Sequence, residues 1–185
     1  MAATFNLEHS EVGPDTESTL DVAGSISLDL SITSTANYLA ADAQRYAVAW
    51  SAPEGSGTAV FGESDFGVLA VVNGGTTSTS GTGDTLINRY EQPGVALNPE
   101  FLLSGFARNM SQHTPDIKAF RVTIPSATAP PATLSLGQET WTNWSLPISF
   151  TDVGDNLVIY EQLGSVPTLV DGVMGEDINI EAPTP

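Results

Sequence analysis

The chain has 185 residues, with 22 Asp plus Glu against 5 Lys plus Arg, a net charge of −17 and no cysteine. Its length suits one domain with its own core, and the missing thiols exclude disulfides, thiolate metal sites and a cysteine nucleophile. The charge excludes a nucleic-acid-binding face, which needs clustered Lys and Arg, and argues against docking on an anionic membrane surface.

Asp and Glu occur eleven times each, and Lys118 is the single lysine. Yet only 15% of residues are charged and 41% are apolar. That composition belongs to a folded domain, not to an acidic disordered tail. A one-signed surface repels itself and destabilises the compact state unless it is screened. In about 1 M salt the Debye length is near 3 Å and the repulsion largely disappears. The composition therefore predicts a protein that works in strong salt.

Met1 to Asn6 hold neither a basic n-region nor an apolar h-region. Residues 1–17 have few periodic apolar positions and read as an N-terminal arm. From Ser18 to Thr33 the apolar residues Leu20, Val22, Ile26, Leu28, Leu30 and Ile32 alternate with polar ones. This period of two predicts one long strand, wet on one face, with Gly24 as a bulge or bend. Tyr46, Val48 and Trp50 alternate in the same way. Pro53-Glu54-Gly55-Ser56-Gly57 reads as a turn, and Thr58 to Phe61 as a strand. Phe66 to Val72, apolar and β-branched, reads as another strand and is far too short to span a membrane.

Asn73 to Asp84 is almost entirely Gly, Thr and Ser and reads as a flexible loop. Thr85 to Tyr90 reads as a strand. Asn98 as cap, Pro99 in the first turn and the stripe Leu102, Leu103, Phe106 and Met110 predict one short helix. Phe120, Val122 and Ile124 alternate, and Pro125 to Pro131 reads as a turn. Strands are then expected at Leu134 with Leu136, Leu146 to Phe150, Leu157 to Tyr160, Val166 to Met174, and Ile178 with Ile180. Many short strands with Gly and Pro punctuation predict an all-β fold. The expected architecture is a single eight-stranded jelly-roll barrel of two packed antiparallel sheets, with a short helix and long loops. The expected organisation is an arm (1–17), one domain (18–181) and a C-terminal tail (182–185).

Candidate chemistry is sparse. The two histidines, His9 and His113, fit no metal-ligand spacing such as HExxH, and no GxSxG elbow is present. Asp152, Asp155 and Asn156 fall in a turn-like stretch that lacks the pattern of an EF-hand. No catalytic, cofactor-binding or metal-binding residue is assigned, and no cofactor is expected. One carboxylate pair merits consideration. Tyr90-Glu91-Gln92 recurs as Tyr160-Glu161-Gln162, and Glu91 facing Glu161 across a concave sheet would suit a jelly-roll glycosidase. Trp141 and Trp144 read as core or subunit contact. Asn109-Met110-Ser111 and Asn143-Trp144-Ser145 are glycosylation sequons.

The opening Met1-Ala2-Ala3-Thr4-Phe5-Asn6-Leu7-Glu8-His9-Ser10, the Leu20 to Ile32 alternation, the Tyr90 to Met110 stretch and the acidic composition together carry a resemblance. The chain resembles the smaller major capsid proteins of haloarchaeal icosahedral viruses with an internal membrane, the sphaerolipovirus type. The resemblance implies a single upright β-barrel in the capsid. It also implies association with further copies and with a larger major capsid protein, into pseudo-hexameric capsomers over a membrane vesicle. Spike or vertex proteins and the vesicle are further implied neighbours, with no nucleic acid contact. The implied location is the virion, assembled in the cytoplasm of a halophilic host. Two other classes stay open: a halophilic carbohydrate-binding or adhesin-like β-sandwich, and the glycosidase using Glu91 and Glu161.

Overall fold

The computed structural model describes residues 2–14, 19–22, 25–41, 44–62, 66–95, 97–110, 113–131, 144–151 and 156–165. Within them the chain forms β1 (Ala2–Asn6), β2 (His9–Gly13), β3 (Leu20–Val22), β4 (Ser25–Thr33), β5 (Ala36–Ala41), β6 (Gln44–Trp50) and β7 (Glu54–Phe61). The helix α1 (Phe66–Asn73) follows. Then come β8 (Thr76–Ser80), β9 (Ile87–Glu91), β10 (Phe101–Arg108), β11 (Ala119–Thr128), β12 (Trp144–Thr151) and β13 (Ile159–Leu163). The fold is mostly β, its sheets are antiparallel, and it has one short α-helix.

Nine strands form the main sheet in the order β1-β4-β7-β12-β11-β10-β2-β3, with β13 also paired to β11. The sheet branches at β11. Its first half, Ala119 to Thr123, pairs with β13, and its last residues, Ala127 and Thr128, pair with β12. Pro125 sits between the two stretches, where no ladder partner requires its missing N–H. At the opposite side the chain passes from β1 to β2 through Leu7 and Glu8. The Leu7 N–H donates to the Ile26 carbonyl in β4, and the Glu8 N–H donates to the Phe106 carbonyl in β10. Among the described residues the ladder does not close, and the pairing shows antiparallel sheets.

One apolar core joins both ends of this order. It includes Val12 and Val22, Leu28 and Leu30, Phe61, Phe101 and Leu103, Ile124, and Leu146, Ile148 and Phe150. β12 alternates strictly between buried and exposed along its length, as its sequence predicts. Trp144 is buried against Phe61, with ring centroids 5.5 Å apart.

Several expectations are corrected. The residues read as an arm supply two strands. β1 pairs with β4, and β2, buried at all five positions, pairs with β10. The long alternating strand is two strands with different neighbours: β3 pairs with β2, and β4 with β1 and β7. A register shift between Ser25 and Ser27 against β7 turns Ile26 outward, 42% exposed. The Glu54–Gly57 turn is the start of β7. Its glycines permit close approach: a Cβ on Gly55 would lie inside the Phe150 ring contact, and one on Gly57 would meet the Asp29 carbonyl.

The helix and a strand exchange places. Phe66–Asn73 is helical, with Val68, Leu69 and Val72 buried in the core. It ends at Gly74 and Gly75, both at positive φ, the conformation that glycine supplies at helix ends. The predicted helix around Leu102 is instead β10. Phe101 to Phe106 are all buried, because β10 lies between β2 and β11 and is covered on both faces. Leu102, Ser104 and Phe106 are on the face opposite the core, and Ser104 Oγ and Thr123 Oγ1 share a buried hydrogen bond of 2.9 Å. Asn98 is at φ 41°, not in a cap conformation. The Pro125 turn is inside β11, which runs on to Thr128. The loop Asn73 to Asp84 contains β8, which pairs with β9 as a separate hairpin. The strands expected at Leu134, Val166 to Met174 and Ile178 lie outside the described residues, as does the tail.

Candidate functional site

A groove of about 450 Å³ lies where β1, β10, β11 and β13 converge. The register builds it row by row. Gly105, Val122 and Tyr160 lie side by side across three strands, and Ala107, Phe120 and Gln162 form the next row. Leu7 seats over Gly105, where a Cβ would come within 2.8 Å of the leucine methyl. Phe120 is 39% and Tyr160 54% exposed, so two rings face the opening.

Two ion pairs flank this apolar floor. Arg121 Nε lies 2.5 Å from Glu161 Oε2, its side chain only 10% exposed. Arg108 Nε lies 3.2 Å from Glu8 Oε2, with both partners about half exposed. Glu161 is the one carboxylate among the described lining residues, and the neighbouring guanidinium already holds it. The groove can accept an apolar or aromatic group, while the Arg121–Glu161 row between the lining rows alternates to the other face of the strands. It does not assemble a carboxylate pair.

The structure places Glu91 elsewhere. It closes β9 in the hairpin sheet and pairs with Arg89 at 2.8 Å, while Glu161 is on β13 of the main sheet. The two glutamates of the echo thus occupy different sheets, each with its own arginine. Their tyrosines differ too. Tyr90 packs against Phe66 beside the core and donates from its hydroxyl to the Gly74 carbonyl at 2.9 Å, whereas Tyr160 lines the groove.

His9 is buried on β2 with its ring 5.7 Å from Phe106, and His113 is exposed beyond β10. No cluster of three or more His, Asp or Glu side chains among the described residues is placed to hold a metal ion. Asp152, Asp155, Trp141 and Asn143 lie outside the described residues. At the other sequon, the Asn109 amide donates to Thr114 Oγ1 at 3.0 Å and to the Ile117 carbonyl at 2.8 Å. It ties the β10–β11 connection rather than projecting into solvent.

A second surface went unread in the sequence. The β8–β9 hairpin stands out from the core: all five β8 residues are exposed, and of β9 only Tyr90 is half-buried. Leu86 (53%) and Ile87 (61%) are exposed at its far end, and Val95 and Leu97 are exposed beyond its base. No described helix is long and apolar enough to cross a membrane. Comparison of the sequence with protein-family models and with curated proteins gave no match.

Proposed function

We propose that the protein is a structural virion subunit. It associates with copies of itself and with a larger major capsid protein into pseudo-hexameric capsomers, in high salt, over an internal membrane. Its place is the capsid of a virus assembled in the cytoplasm of a halophilic host. The sequence resemblance motivates this reading. The carrying observation is the distribution of charge: Arg89, Arg108 and Arg121 are each taken up by a carboxylate of the same chain. With a net charge of −17 the surface is predominantly acidic, and copies pack side by side through uncharged surfaces or under strong screening. The eight-stranded jelly roll belongs to the same proposal. Support comes from antiparallel strands from both ends of the main sheet contributing to one apolar core.

Electron microscopy and light scattering of the purified protein in molar salt, with and without the larger subunit, test the proposal. Rings or hexagonal tiles are expected. A monomer under every condition would refute it. A second reading rests on Phe120 and Tyr160, whose exposed rings would suit sugar stacking in a carbohydrate-binding module. That reading requires saturable oligosaccharide binding by a monomer, abolished by Tyr160→Ala.

A further inference from the structure

We infer that the outer edge of β8 is a self-recognition strand, pairing antiparallel with β8 of a second copy to make one four-stranded sheet. The inference names a contact behind the self-association proposed above and rests on that reading.

Three observations carry it. First, among the described residues β8 pairs only with β9, so one row of its backbone groups has no ladder partner. The hairpin's support on the domain comes through Tyr90 of β9 packed against Phe66, while all of β8 is exposed.

Second, the edge has none of the usual protection. Natural edges are blunted with lysine, proline, inward charge or a bulge. Thr76-Thr77-Ser78-Thr79-Ser80 contains no charge and no proline, and its register with β9 runs without a break. Asn73 to Gly83 is an uncharged run of eleven residues in a chain of net charge −17. It is a strip on which two copies meet without like charges coming together.

Third, the strand is complementary to itself. Antiparallel pairing centred on Ser78 sets Thr76 against Ser80 and Thr77 against Thr79. Directly opposed Thr and Ser side chains stabilise a ladder. The occupant that fits is therefore a second copy of this chain, related by a two-fold axis through Ser78.

The absence of native cysteine makes the test clean. In the full chain, Ser78→Cys puts the two thiols of a pair directly opposite, close enough for a disulfide. Thr77→Cys mixed with Thr79→Cys does the same off-centre. Ser56→Cys is an exposed control on β7, a strand paired on both edges. Under mild oxidation in molar salt, S78C and the T77C/T79C mixture should shift to a band of twice the monomer mass. S56C should stay monomeric. Ser78→Lys, which sets two cations face to face, should abolish the association seen by sedimentation while leaving the thermal unfolding midpoint unchanged. No S78C dimer, or equal cross-linking of S56C, overturns the inference. Tiles seen by microscopy without S78C cross-linking overturn the edge contact and leave the capsid reading standing. A cross-linked S78C dimer that never tiles does the reverse.

Discussion

Gly55 offers the sharpest probe of packing between neighbouring strands of the main sheet. It lies directly opposite Phe150 in the β7–β12 ladder, and the phenyl ring covers its backbone. A Cβ built there would sit 1.9 Å from one ring carbon and 2.3 Å from two more. Ordinary carbon contacts are about 3.5–4.0 Å, so the ring must move by more than an ångström. Phe150 is 2% exposed and has little room to do so. Gly55→Ala should therefore cost about 2–3 kcal/mol by overpacking, a fall in Tm of about 4–12 °C for a domain of this size. The reasoning locates the whole cost in the ring. In a Phe150→Leu background, which removes Cε2 and Cζ and frees the side chain to shift, Gly55→Ala should lose most of its cost, giving a coupling of about 1–2 kcal/mol in a double-mutant cycle. Gly57→Ala is the contrast. Its Cβ would meet the Asp29 backbone carbonyl at 2.3 Å, so Phe150→Leu should not rescue it. Denaturant and thermal unfolding of the five variants in molar salt provide the measurement. An unchanged midpoint for Gly55→Ala, or a loss that persists in the Phe150→Leu background, would refute the packing argument.

The remaining predictions concern charge and the β10–β11 turn. Dialysis from molar to millimolar salt should dissociate the assembly and lower the unfolding midpoint of the chain, followed by circular dichroism and light scattering; unchanged signals would sink the halophile argument. Glu161→Gln strands the nearly buried Arg121 and should cost about 1–3 kcal/mol, whereas Glu91→Gln, at the exposed Arg89 pair, should stay within about 0.5 kcal/mol. Equal effects at the two sites would contradict the difference in burial. Asn109→Ala should cost about 1–2 kcal/mol by releasing the turn that holds Thr114 and Ile117, and mass spectrometry of protein from its natural source should find residue 109 unmodified.

Where one face of a strand is wet, the sequence was readable. β12 alternates in burial as it does in hydropathy, whereas β11 departs from its expected alternation, with Phe120 exposed and Thr123 buried between Val122 and Ile124. Legibility failed where that condition fails. β10 is covered on both faces, so its apolar run carries no period of two, and Leu102, Leu103 and Phe106 fall at helical spacing by accident. Phe66–Asn73 is rich in β-branched residues, yet packing of Val68, Leu69 and Val72 on the core overrides that preference. β2 was invisible for the opposite reason. His9, Ser10 and Glu11 are buried polar residues, which no hydropathy pattern can announce. The candidate glutamates were identifiable as a repeat, but their assignment to two sheets depends on strand pairing at a distance. The exposed Thr and Ser strand looked like a loop because composition reports flexibility and not hydrogen-bond partners.

The crossing at Leu7 and Glu8 has a consequence for the order in which the molecule is made. β2 is synthesised nearly a hundred residues before its partner β10. Loop closure over that distance is slow and must precede the contacts that reward it. Until β10 emerges, His9, Ser10 and Glu11 must remain hydrated, and the nascent chain holds a strand in waiting. Their polarity keeps that waiting strand soluble. The same residues that conceal β2 from a hydropathy reading thereby protect the chain from premature aggregation.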